Sequence, residues 1–114
     1  MLTKKHRFHG SVSLRFVFKR GVVVRQPDLA LKYILNKKSK DYRVAVIVSK
    51  KVHKSAVKRN RIRRRIYSVV SEYKSYLKEP YDLVFFVYQD KILLLPPQEL
   101  KRQVAKLLKL ANIT

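Results

Sequence analysis

Residues 83–88, LVFFVY, form an uninterrupted apolar run of six, introduced by Tyr81 and Asp82. A strand with one wet face alternates apolar and polar residues, so a continuous run calls for a strand covered on both sides. The run is far too short to cross a membrane as a helix, which takes about 20 residues. The stretch 81–88 therefore predicts a central strand, and the rest of the chain must supply helices to cover it.

Three segments have helical character. GSVSLRFVFKRG, residues 10–21, offers Ser11 or Ser13 as an N-cap and Gly21 as a C-terminal stop, with Val12, Leu14, Phe16, Val17 and Phe18 spread over more than one face. A second helix starts near Ser55, places Ile62, Ile66, Val69, Val70, Tyr73 and Leu77 on one stripe, and ends at Pro80. The last starts at Pro96-Pro97 with Glu99, turning Leu100, Val104, Leu107, Leu108 and Ala111 inward. Between them, VVVRQPDLALKYIL (22–35) reads as a strand broken at Gln26-Pro27-Asp28, because proline cannot donate to a ladder. NKKSKD (36–41) is a polar turn before the β-branched strand YRVAVIVS (42–49). The order is α-β-β-α-β-α, an α+β fold built as an α/β sandwich on a small sheet of three or four strands.

The chain's 114 residues suffice for one domain, 1–114, without internal repeat or linker. It contains no cysteine, so disulfides and thiolate metal sites are excluded. MLTKKHRFHG, residues 1–10, has the charge of a signal peptide but no apolar stretch after it, and reads as a mobile basic segment. A soluble protein of the cytoplasm, with no membrane partner, is the expectation.

Charge then narrows the function. Lysine and arginine number 28 against seven acids, a formal net charge of +21. No acid precedes Asp28, and none lies between Asp41 and Glu72, an interval with ten lysines and arginines. Such segregation implies a polyanionic partner. SAVKRNRIRRRIYSVV, residues 55–70, sets six cations in the eight positions from Lys58 to Arg65. On a helix, Arg59 lines up with Arg63, Asn60 with Arg64 and Arg61 with Arg65, all read as lying away from the Ile62/Ile66 stripe. Like charges four apart weaken a helix by a few tenths of a kcal/mol each, so local stability does not explain the pattern. A merely solvated face would interleave glutamate; phosphates, which arginine forks pair bidentately, do explain it. Lys50, Lys51 and Lys54 extend the same surface through the loop before the helix, whose free N–H groups also attract anions.

The chain VSKKV…SAVKRNRIRRRI resembles the bacterial ribonuclease P protein component, in which an Arg-Asn-Arg triplet opens a long helix after a strand ending in Ser-Lys-Lys. RFVFKRG (15–21) and RVAVIVSKK (43–51) are similar to that family's first helix and to the strand before its arginine helix. The resemblance implies a mixed sheet with a left-handed βαβ crossover, a fold shared with the second domain of a small-subunit ribosomal protein. It implies a protein partner for a large catalytic RNA that removes the 5′ leader from precursor tRNA, with Mg²⁺ required by the RNA–protein holoenzyme and no cofactor or small-molecule substrate for the chain. Contacts to the RNA subunit would then fall to Lys50, Lys51, Lys54, Arg59, Asn60, Arg61, Arg63 and Arg64. The single-stranded leader would lie between the first helix and the sheet, at Leu14, Phe18, Lys32 and Tyr33.

Departures from the family pattern cluster at that cleft. Leu14 stands at an aromatic position, with Phe16 close by, and Lys32 stands where tyrosine is common. On one reading Lys32 meets a leader phosphate; on the other a register shift brings Tyr33, which points to the opposite face, into the cleft. The loop VHKS (52–55) is one residue longer than the shortest family form, and Arg65 and Tyr67 stand where apolar and basic residues are usual. Catalytic groups are not expected. The seven acids are scattered, His6 and His9 lie in the N-terminal segment, and His53 sits among lysines. An rRNA-binding structural protein is the alternative, distinguished by having no need of an aromatic cleft for unpaired bases. A DNA reader would vary its base-facing residues with Gln, Ser or Thr, which this bank lacks.

Overall fold

The computed structural model describes residues 11–38 and 40–113, with side chains from Leu14 onward. Helix α1 spans Ser11–Arg20, strand β1 Val22–Arg25, β2 Leu29–Leu35 and β3 Arg43–Ile47. Helix α2 spans Ala56–Ser71, β4 Tyr81–Val87 and α3 Pro97–Leu110, with a 3₁₀ turn at Asp90–Leu93. The segment 1–10, expected to be a mobile basic arm, lies outside the described residues. So do the side chains of Ser11 and Ser13, although α1 already begins at Ser11.

The sheet runs β1-β2-β4-β3. β1 pairs antiparallel with β2, β2 antiparallel with β4, and β3 parallel with β4, so α2 is the crossover of a βαβ unit. The fold class is the expected one, with a difference at residues 26–28. The break there is a reversal, closed by Gln26 N donating to the Leu29 carbonyl at 2.7 Å, so the segment forms two antiparallel strands instead of one interrupted strand. Pro27 sits in the turn, where its missing donor costs nothing.

β4 is central, and Leu83, Val84 and Phe85 are each 0% exposed, as their unbroken apolar run requires. Register divides the sheet into two faces. Leu29, Leu31, Val44, Val46, Leu83 and Phe85 point to the main core, where α2 brings Ile62, Ile66, Val69 and Val70 and α3 brings Leu100, Val104, Leu107 and Leu108. Ala30, Lys32, Val84 and Phe86 point to the other face, crossed by α1. There Val17 is the fully buried contact.

α2 ends earlier than the stripe predicts. Beyond Ser71 the chain tightens into i→i−3 bonds, Tyr73 to Val70 at 2.9 Å, Tyr76 to Tyr73 at 2.9 Å and Leu77 to Lys74 at 3.2 Å. Serine and tyrosine are weaker helix formers than the residues before them, and the tighter winding still carries Leu77 into the core. Across β3 and β4, Asp82 is fully buried and receives Arg43 bidentately, Nε at 2.9 Å and Nη2 at 2.8 Å, with Asn36 Nδ2 at 3.0 Å. This network ties the turn at residue 36 to the β3–β4 pair.

Candidate nucleic-acid interface

α2 begins with Ser55 in extended geometry, its Oγ accepting from Lys58 N at 3.3 Å. The preceding loop is a turn on Ser49, whose carbonyl receives Val52 N at 3.0 Å. His53 Nδ1 accepts from Ser55 N at 3.0 Å, so this histidine shapes the loop. Arg59 is half-buried and its Nη1 bonds the carbonyls of His53 and Lys54, both at 2.9 Å. It therefore braces the helix start, with only part of its fork left for a partner. Lys50, Lys51 and Lys54 are exposed around this turn.

Asn60, Arg61 and Arg64 are exposed along α2 and Arg63 is half-buried. Four ion pairs occur among the described residues, Arg43–Asp82, Lys91–Asp28, Lys101–Glu72 and Arg102–Glu99, and none uses an arginine of α2. The bank at 61, 63 and 64 is therefore uncompensated charge held on a rigid, core-packed helix. Arg65 corrects the row assigned to it. Its Nη1 and Nη2 bond the carbonyls of Ile92 and Leu95, turning it away from solvent and fastening the approach to α3 onto α2. Spacing places Arg65 in line with Arg61, but the carbonyls beside it exist only once residues 90–95 have packed there.

A second surface lies on the other side of the sheet. Gly21 N closes α1 on the Val17 carbonyl at 2.7 Å; a Cβ on Gly21 would meet that oxygen at 2.5 Å and, on β2, Lys32 Cγ at 2.9 Å, so only glycine fits where α1 ends against β2. Phe18 is 40% exposed, with its ring 6.0 Å from that of Phe86 and tilted by 39°. Phe16 is 39% exposed on the same helix, and Leu14 is half-buried. Lys32 faces α1 and donates through Nζ to the Phe18 carbonyl. Tyr33 points the other way and packs against the main core, so the register holds Lys32, not Tyr33, beside Phe18. Phe86 was missed by the sequence reading; alternation from buried Phe85 would have found it.

Comparison with known proteins follows the same outline. Residues 2–112 match the family model for Ribonuclease P. The chain is 31% identical over 112 residues to the Ribonuclease P protein component of Streptococcus agalactiae serotype Ia, covering 98% of this chain and 99% of that one. It is 36% identical over 84 residues to that of Syntrophomonas wolfei, covering 74% and 69%. Among solved structures, the RNase P protein of Staphylococcus aureus superposes with a TM-score of 0.83 at 23% identity, over 95% and 96% of the two chains. That of Thermotoga maritima gives 0.77 at 19% identity, over 90% and 94%. These two likenesses establish the fold.

Proposed function

The chain belongs to the ribonuclease P protein family and is the protein subunit of that tRNA-processing ribonucleoprotein; from this premise we propose how its two surfaces divide the work. The α2 face docks on the catalytic RNA through Arg61, Arg63, Arg64 and Asn60, with Lys50, Lys51 and Lys54 extending the contact and Arg59 sharing its fork with the loop. The α1–sheet cleft receives the 5′ leader of precursor tRNA, with Phe18 and Phe86 as base-facing rings and Lys32 beside them. Unpaired bases gain about 1–3 kcal/mol each by stacking on aromatic rings. The observation that carries this reading is the uncompensated arginine bank, since every acid that forms an ion pair among the described residues pairs elsewhere.

Phosphodiester chemistry stays with the RNA and its Mg²⁺. In support, Asp28 and Asp82 are buried and ion-paired, and no group of three or more His, Cys, Asp or Glu among the described residues could hold a metal ion. The protein's part is then to screen RNA–RNA repulsion and hold substrate. None of the described helices is long and apolar enough to cross a membrane. The test is reconstitution. The protein alone leaves precursor tRNA intact, and added to a bare ribonuclease P RNA it lowers the Mg²⁺ concentration needed for cleavage. Cleavage by nuclease-treated, RNA-free protein refutes this division of labour.

A further inference from the structure

A cavity of about 530 Å³ opens between α2 and the first turn of α3, on the sheet face opposite the α1 cleft. That volume suits a small-molecule site. Its floor is apolar, with Val69 and Leu100 8% and 1% exposed and Pro97 at the rim. Arg61 and Arg64 stand at one end, and Glu72 and Lys101, 3.8 Å apart, at the other. Ser68 and Gln98 line the space between. Arg64 and Glu72 are eight residues apart, about 12 Å if the helical rise held throughout. Arg65 lines the wall and is anchored on the Ile92 and Leu95 carbonyls, which holds that wall in place.

A face that met only the phosphates of a duplex would need no apolar floor, and a carboxylate beside it would repel them. Both features suit an extruded nucleotide. Its phosphate seeks arginine forks, its base seeks apolar cover, and its ring and amino N–H groups seek an acceptor. We propose that this cavity takes one unpaired nucleotide of the RNA partner, its phosphate on Arg61 and Arg64, its base over Val69 and Leu100, and its polar edge toward Glu72 and Lys101. The proposal rests on the reading of α2 as the RNA-docking face and adds the α3 side to it.

The test titrates the full chain, at fixed ionic strength, with the four nucleoside 5′-monophosphates, ribose 5-phosphate and inorganic phosphate as separate probes. Backbone amide NMR signals of Ser68, Gln98 and Lys101 report the site. At least one nucleotide binds about tenfold more tightly than ribose 5-phosphate and moves those signals. Ser68→Trp, which fills the cavity from an exposed position, removes the nucleotide's margin and leaves phosphate affinity unchanged. Gln98→Trp fills it from α3 and does the same, which keeps the test alive if the first variant misfolds. Equal affinity for nucleotides and ribose 5-phosphate, or a margin that survives in a folded filled variant, overturns the assignment. Binding of ribonuclease P RNA by the Arg61→Ala/Arg64→Ala variant separates the two claims. If that variant loses RNA affinity while the cavity results are negative, only the cavity fails; if it retains full affinity, the docking face fails.

Discussion

Arg64 and Arg65 are neighbours on one helix, yet their side chains are placed differently, Arg64 exposed and outside every ion pair among the described residues and Arg65 bound to main-chain carbonyls. Arg65 makes two charge-assisted hydrogen bonds to main-chain carbonyls, each of a kind that contributes about 1.5–3 kcal/mol. The two share one side chain, and water can partly replace the donor in a half-buried site, so Arg65→Ala should lose about 2–4 kcal/mol, less than the simple sum. For a chain of this length that is a fall in Tm of roughly 8–18 °C. Arg65→Lys, which can satisfy one carbonyl at a time, falls between. Arg64 is exposed and makes no ion pair, and Arg61 lies one turn away on the same helix, so Arg64→Ala should change stability by no more than about 0.5 kcal/mol. Thermal unfolding by circular dichroism at fixed salt measures both. Equal losses for the two alanine variants, or an Arg65→Ala protein as stable as the parent, would refute the separation of clamp from binding bank.

Three further outcomes follow from the same contacts. Arg43→Ala strands the fully buried Asp82 carboxylate and should cost about 3–5 kcal/mol in urea unfolding, whereas removing exposed Lys50 should cost almost nothing; equal costs would contradict the role given to the pair. Phe18→Ala should weaken holoenzyme binding of precursor tRNA by about 1–3 kcal/mol while sparing mature tRNA, and equal losses for both ligands would remove the leader from this cleft. Burial, with Asp41 adding to it, raises the Tyr42 phenol above its ordinary 10.0. The folded state therefore keeps a proton that the unfolded chain releases, so this contribution is complete below pH 10 and is lost as pH rises through the raised value. Tyr42→Phe should show a shallower stability decline than the parent above that pH, and an identical decline would count against the shift.

Much of this molecule could be read before it was seen, because the decisive signals are periodic. The unbroken run at residues 83–88 announced a doubly covered strand, and the spacing of Ile62, Ile66, Val69 and Val70 placed α2 against it. The exposure of Arg61 and Arg64 followed from the same periodicity, since both lie off the apolar stripe. What escaped the reading depends on residues distant in sequence. Spacing alone puts Arg65 in the bank, because its helical row cannot reveal the Ile92 and Leu95 carbonyls beside it. At residues 26–28 the sequence shows only an interruption, because a proline turn does not by itself say that the following strand pairs with the preceding one. The choice between Lys32 and Tyr33 rests on the β2–β4 register, which turns Tyr33 against the main core. The α2–α3 cavity is formed by the packing of two helices and has no sequence signal of its own.

The central claim, that α2 presents uncompensated arginines to RNA phosphates, is tested most directly by the salt dependence of binding to ribonuclease P RNA. If about five phosphates are engaged, log affinity falls against log salt with a slope of about −3.5 to −4.5, and the Arg61→Ala/Arg64→Ala variant is shallower by about 1.4–1.8. A variant slope identical to that of the parent, or a parent affinity indifferent to salt, would place the RNA contact somewhere other than this helix.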